Sequence, residues 1–240
     1  MAIVLAAWVV LWAGVAVVAN AVIAGRPTCS ASAVLTILQS QGCPRPTPVH
    51  QASRPSPPGW QEQRSPTYGY AYDVPTNWRI LGPDDAISYG NTSGSLVMMN
   101  AADYRAGFCH GAPGSSRAFA GFHVDSNTNL AAVASDTARL WANAAYLPPT
   151  GGPSPTITAS GPMPVTLDGV QAVEVTANVT LNTAGPCYPP RAVVYAVSVP
   201  GRAGSSSQSV SLIVGSDQGV SDGVPTTDLE TIIGTLHAWS

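Results

Sequence analysis

Lysine is missing from this chain. All ten basic residues among its 240 are arginine, charged residues make up 10%, and the net charge is −3. An average soluble protein carries roughly 25% charged residues. No run of arginines is dense enough to neutralise a line of phosphates, so nucleic acid is excluded as a partner. Catalytic signatures are missing too. There is no G-x-S-x-G elbow, P-loop, dinucleotide fingerprint or EF-hand. C-x-x-C is absent, and His50, His110, His123 and His237 are scattered. Neither a metal nor a cofactor is expected.

Charge is also absent from residues 1–25, "MAIVLAAWVVLWAGVAVVANAVIAG". As a helix that run reaches about 37 Å, against a hydrocarbon core of ~30 Å. Soluble helices are seldom apolar on every side, so the segment is expected to be a transmembrane anchor. A cleaved leader is the alternative, since Ala19-Asn20-Ala21 fits the A-x-A pattern, although a basic n-region is lacking. Arg26, Arg45 and Arg54 follow the segment. Taken literally, the positive-inside rule then places the rest in the cytoplasm. The cysteines argue for an oxidising compartment, and the start reads as if upstream basic residues were omitted. The expectation is a single-pass protein of the cell membrane with its C-terminal domain outside the cytoplasm.

Residues 26–43 form a juxtamembrane piece with Cys29 and Cys43 near its ends. A continuous helix would hold these cysteines ~21 Å apart, so a Cys29–Cys43 bond requires the chain to fold back. Residues 44–66 contain seven prolines and read as a polyproline-type tether reaching about 70 Å when extended.

Residues 67–240 read as one α+β domain, long enough for a sizeable core. Strands are expected at Tyr68–Val74, Trp78–Leu81, Ser95–Asn100, near Tyr104–Phe108, at Ala192–Val199 and at Gln208–Val214. Tyr68, Tyr70 and Tyr72 alternate, and the core is the expected place for them. Asp168-Gly169 sits between two alternating runs, as a type I′ hairpin turn does. A helix is expected over Asn129–Tyr146, capped by Ser126 or Thr128, with Leu130, Val133, Ala134, Thr137, Trp141, Ala144 and Ala145 on its stripe. A second is expected over Asp228–Ala238, with Thr227-x-x-Glu230 as a capping box and Leu229, Ile232, Ile233 and Leu236 inward. Hairpin links between the strands make the sheet largely antiparallel, with helices packed on it.

Three stretches carry a resemblance. "YAYDVPTNWRI", "DGVQAVEVTANVT" and "VPTTDLETIIGTLHAW" resemble the entry strand, central hairpin and closing helix of Mog1/PsbP-like domains. Among these the chain is most similar to actinobacterial envelope proteins of that class, including domains of unknown function. The resemblance extends over residues 66–240. It implies a Mog1/PsbP-like sandwich and a binding or accessory role. The stretch "FCHGAPGSSRAFAGFHV" stands outside the pattern.

Candidate sites are few. Four cysteines allow three pairings, and Cys109 with Cys187, both in turn-rich stretches of the domain, is the expected pair. Gly114, Ser115, Ser116 and Arg117 are a candidate anion-binding loop, with backbone N–H groups as a nest and Arg117 adding charge. The same loop is the candidate for an envelope hydrolase, with Ser115 or Ser116 as nucleophile and His110 or His123 as base. Asp84, Asp85, Asp217 and Asp222 read as solvated turn acids. The expectation is a membrane-tethered domain of the cell envelope that binds an unidentified protein or envelope ligand without catalysis. The alternatives are the hydrolase and a structural subunit of a membrane complex.

Overall fold

The computed structural model describes residues 56–91, 94–148, 152–183, 185–202 and 207–239. The expected anchor (1–25), the juxtamembrane piece with Cys29 and Cys43, and the tether as far as residue 55 lie outside the described residues. Among those described, no helix is long and apolar enough to cross a membrane.

Fourteen elements follow in order: β1 Trp60–Ser65, β2 Tyr70–Pro75, β3 Arg79–Ile80, β4 Ala86–Asn91, β5 Gly94–Tyr104, β6 Ala118–Asp125, α1 Leu130–Tyr146, β7 Thr156–Ala159, β8 Met163–Leu167, β9 Val170–Thr180, β10 Arg191–Pro200, β11 Ser209–Gln218, α2 Thr226–Gly234 and β12 His237–Ala238. The large sheet runs β3-β5-β6-β11-β10-β9-β7, with β4 on β5 and β8 on β9. A small sheet runs β1-β2-β12. The strand pairings are antiparallel, so the fold is α+β, as the hairpin spacing implied.

The central strands of the large sheet are buried on both faces. Along β10 the alternation sends Val193, Tyr195, Val197 and Val199 to one side, where the small sheet and α2 contribute Tyr72, Leu229 and Ile232. Ala192, Val194 and Ala196 go to the other side, against Ala138 and Trp141 of α1. Small residues in β10 let α1 lie close, and Trp141 fills the space they leave. The tyrosines face the core, with Tyr72 fully buried and edge-on to Phe122 at 5.2 Å. Its hydroxyl donates to Asn100 O at 2.8 Å, which removes the cost of burying it unpaired.

Several boundaries differ from the expectation. Residues 60–65, assigned to the tether, are β1. The strand is polar, but Gln61 Nε2 donates to Trp78 O at 2.7 Å, and Gln63 Nε2 donates to Leu81 O and Ala101 O. Its glutamines are anchors for neighbouring carbonyls. The strand expected near Tyr104–Phe108 ends at Tyr104, because Arg105 and Gly107 take positive φ. β6 lies where none was expected, inside the large sheet between β5 and β11. α1 is capped by Asn129, whose side chain accepts from the Ala132 N–H. α2 begins at Thr226 behind Pro225, the capping box does not form, and the chain leaves helix after Gly234 to become β12. The I′ turn is present, with Asp168 and Gly169 both at positive φ (47° and 77°).

Candidate functional site

Before β6, residues 105–117 form a loop that doubles back on itself. Gly107 N–H donates to Ser115 O at 2.6 Å, and Cys109 N–H donates to Ser115 Oγ at 3.0 Å. A disulfide between Cys109 and Cys187 joins this loop to the β9–β10 connection, with the Cα atoms 5.2 Å apart. The expected pairing is therefore the one the structure has. Beside it opens a cavity of about 120 Å³, walled by Cys187 and by Tyr89, Phe108, Phe119, Tyr146 and Tyr188, with Ser115, Ser116 and Asp217 as polar lining.

The polar groups hold one another in place. Arg117 is buried just ahead of β6. Its Nη1 donates to Asp217 Oδ2 at 2.8 Å, and its Nε lies 3.0 Å from Asp222 Oδ1. Its guanidinium stacks 3.7 Å from the Phe108 ring centroid. Asp217, at the end of β11, is 3% exposed. Burial pushes its carboxyl up to about 6, Asp222 adds to the rise, and the hydrogen bonds from Arg117 and Tyr146 hold it back. Tyr89 bonds Ser116, and burial lifts its phenol to about 12. Burial also raises the Tyr146 phenol well above the ordinary range. Both phenols therefore stay protonated and act as neutral hydrogen-bonding groups.

The candidate loop residues are thus at the cavity, in varied roles. Ser115 and Ser116 line it, whereas Arg117 is engaged by two carboxylates. The Ser115 N–H donates to Ala112 O at 2.9 Å. Two of the four groups expected to hold an anion are therefore satisfied within the protein. Gly114 is exposed. For the nucleophile reading, the partners of Ser115 and Ser116 are the Cys109 N–H and Tyr89, not a histidine. His110 is exposed. His123 Nδ1 pairs with Val97 O at 2.9 Å, and its ring stands edge-on to Trp141.

Sequence reasoning missed Asp217. Its Gly-rich surroundings read as a solvated turn, yet it is buried and paired with Arg117. Ser209–Asp217 of β11 is buried at every position, so periodicity could not mark the acid at its end as buried. An acid closing such a strand is seldom free. Among the described residues, no group of three or more His, Cys, Asp or Glu is placed to hold a metal ion.

Residues 53–239 match the family described as "Domain of unknown function (DUF8017)". The solution structure of cyanobacterial PsbP (CyanoP) from Synechocystis sp. PCC 6803 also matches, with a TM-score of 0.42 and 8% identity over 80% of this chain and 100% of that one. No curated protein matches the chain. The chain belongs to the DUF8017 family.

Proposed function

We propose that this member of the DUF8017 family is a binding domain of the cell envelope, tethered through residues 1–25, that takes its ligand at the cavity beside Cys109–Cys187 without turning it over. One observation carries the reading: the disulfide joins the two loops that wall the cavity. Disulfides persist in oxidising compartments, which favours a domain outside the cytoplasm. Crosslinked walls also keep a site formed before its ligand arrives, which lowers the cost of binding. The motif resemblance to Mog1/PsbP-like domains, with their binding and accessory roles, leans the same way.

A volume of about 120 Å³ is small beside the ~300–1,000 Å³ of sites for drug-sized ligands. It suits a group of a few heavy atoms, either a small molecule or the tip of a larger one. The test is photo-crosslinking. Tyr188, on the cavity wall, is replaced by a benzophenone amino acid in the full chain within cells. A discrete adduct is expected, and Ala145→Leu, which fills the cavity, should abolish it. No adduct, or one indifferent to Ala145→Leu, contradicts the reading.

A further inference from the structure

We propose that the cavity beside the Cys109–Cys187 bond recognises a small ammonium cation, held by the carboxylate of Asp217 and the aromatic rings around it. This rests on the reading of the cavity as a binding site and names the chemistry of its ligand.

Five aromatic side chains, Tyr89, Phe108, Phe119, Tyr146 and Tyr188, share the lining with one acid, Asp217. A ring attracts a cation that approaches its face within about 6 Å of the centroid. The volume is about 120 Å³, small enough that a cation inside meets several of these lining residues at once. The fold already uses this chemistry one layer deeper, where the Arg117 guanidinium lies 3.7 Å from the Phe108 centroid.

The charge arrangement favours a cation over an anion. Asp217 lines the cavity. Arg117 is the charge that would attract an anion, but it is held between Asp217 and Asp222. Asp222 is itself shared with Arg105 at 3.4 Å. The two arginines and two aspartates balance, and the member of that set that lines the cavity is an acid. The Ser115, Ser116, Tyr89 and Tyr146 hydroxyls supply neutral oxygens that can accept from an N–H. Three groups bear on Asp217 from other parts of the fold: Arg117 ahead of β6, Tyr146 on α1, and Asp222 in the β11–α2 connection. Tyr89 on β4 feels its charge as well.

A carboxyl titrating at about 6 makes the proposal pH-sensitive in a stated direction. Between pH 7.5 and pH 5 the ionised fraction falls about tenfold, so cation affinity should fall about tenfold as well. The full chain, with tyrosine rings ¹³C-labelled, is titrated in a maltoside detergent. The probes are tetramethylammonium, neopentyl alcohol as its uncharged relative, and pivalate as the anion. Saturable shifts of the Tyr89, Tyr146 and Tyr188 signals are expected with tetramethylammonium alone, weakening about tenfold at pH 5. Asp217→Asn should remove that pH dependence, and the wild-type pH series serves if the variant does not fold.

Equal binding of the alcohol, or affinity unchanged with pH, overturns the ammonium assignment while leaving a binding cavity. Preferential binding of pivalate overturns it in favour of an anion. Silence to all three probes also overturns it, whereas the crosslink at position 188 judges the cavity itself. Transfer to vesicles separates the sources. Shifts in phosphatidylcholine and not in phosphatidylglycerol, with no amine added, identify a lipid headgroup. Shifts that need added tetramethylammonium in either lipid identify a free amine. Both results support the proposal.

Discussion

Asp217→Asn is expected to stabilise the fold near neutral pH relative to its effect in acid. The carboxyl titrates at 3.8 in an unperturbed chain and at about 6 when folded. The folded state thus holds this proton more tightly. The group's contribution is fully present below pH 3.8 and is lost as the pH rises through 6. The difference between 3.8 and about 6 corresponds to about 3 kcal/mol. Two effects compete here. Arg117, at 2.8 Å, favours the carboxylate. Burial at 3% exposure, together with Asp222 drawing on the same guanidinium, disfavours it. The raised value says that burial wins. Asparagine keeps the shape and an acceptor for Arg117 but carries no charge. Urea unfolding of the wild type and the variant at pH 4 and pH 7.5 measures the difference. The stability of the variant relative to wild type should improve by about 2.5 kcal/mol between the two pH values, since pH 4 lies just above 3.8. A variant relatively weaker at pH 7.5 would mean that the Arg117 pair dominates and that the account of Asp217 is wrong.

Other outcomes follow from the same geometry. Tyr146→Phe removes a hydrogen bond that holds the Asp217 carboxyl down, so that group should titrate above 6, as read by carboxyl ¹³C NMR. Breaking Cys109–Cys187 as the double serine variant releases a loop of 78 residues. The loop-entropy model puts the loss at ~4.5 kcal/mol, measured as a lower denaturation midpoint without reductant. Gly215→Ala places a Cβ 2.4 Å from Phe119 Cζ. It should cost about 1–3 kcal/mol and displace a cavity wall, visible in thermal melts and in the Phe119 ring signals. Trp141→Ala empties the space between α1 and the sheet and should cost about 3–5 kcal/mol by the same melts.

What the sequence disclosed depended on how local the physics was. The I′ hairpin was legible because Asp168-Gly169 meets the demand for positive φ by itself. α1 and the inward side chains of α2 were legible because helical periodicity shows within a few turns. β6 was not, because "AFAGFHVD" is a strand buried on both faces. Such strands lose the apolar–polar alternation that marks a half-exposed one. Gly121 is small because Met98 and Ala101 press on it: a Cβ there would fall 2.8 Å from Met98 Sδ. β1 was hidden for the opposite reason. Its glutamines look like tether residues until the carbonyls they serve are in view. The cavity was the least legible feature. Its lining comes from β4, the loop before β6, α1, β11 and the β9–β10 connection, segments that only the folded sheet brings together. Of its parts, the disulfide and the two serines were singled out, whereas Asp217 and the aromatic wall were not.

The most direct measurement is the thiol state of the native chain. Free thiols are alkylated in intact cells before lysis, and the peptides are then mapped without reduction. A linked peptide pair joining Cys109 to Cys187 is expected. Recovery of both cysteines in alkylated form would contradict it, because the cavity would then lack the bridge that fixes its walls.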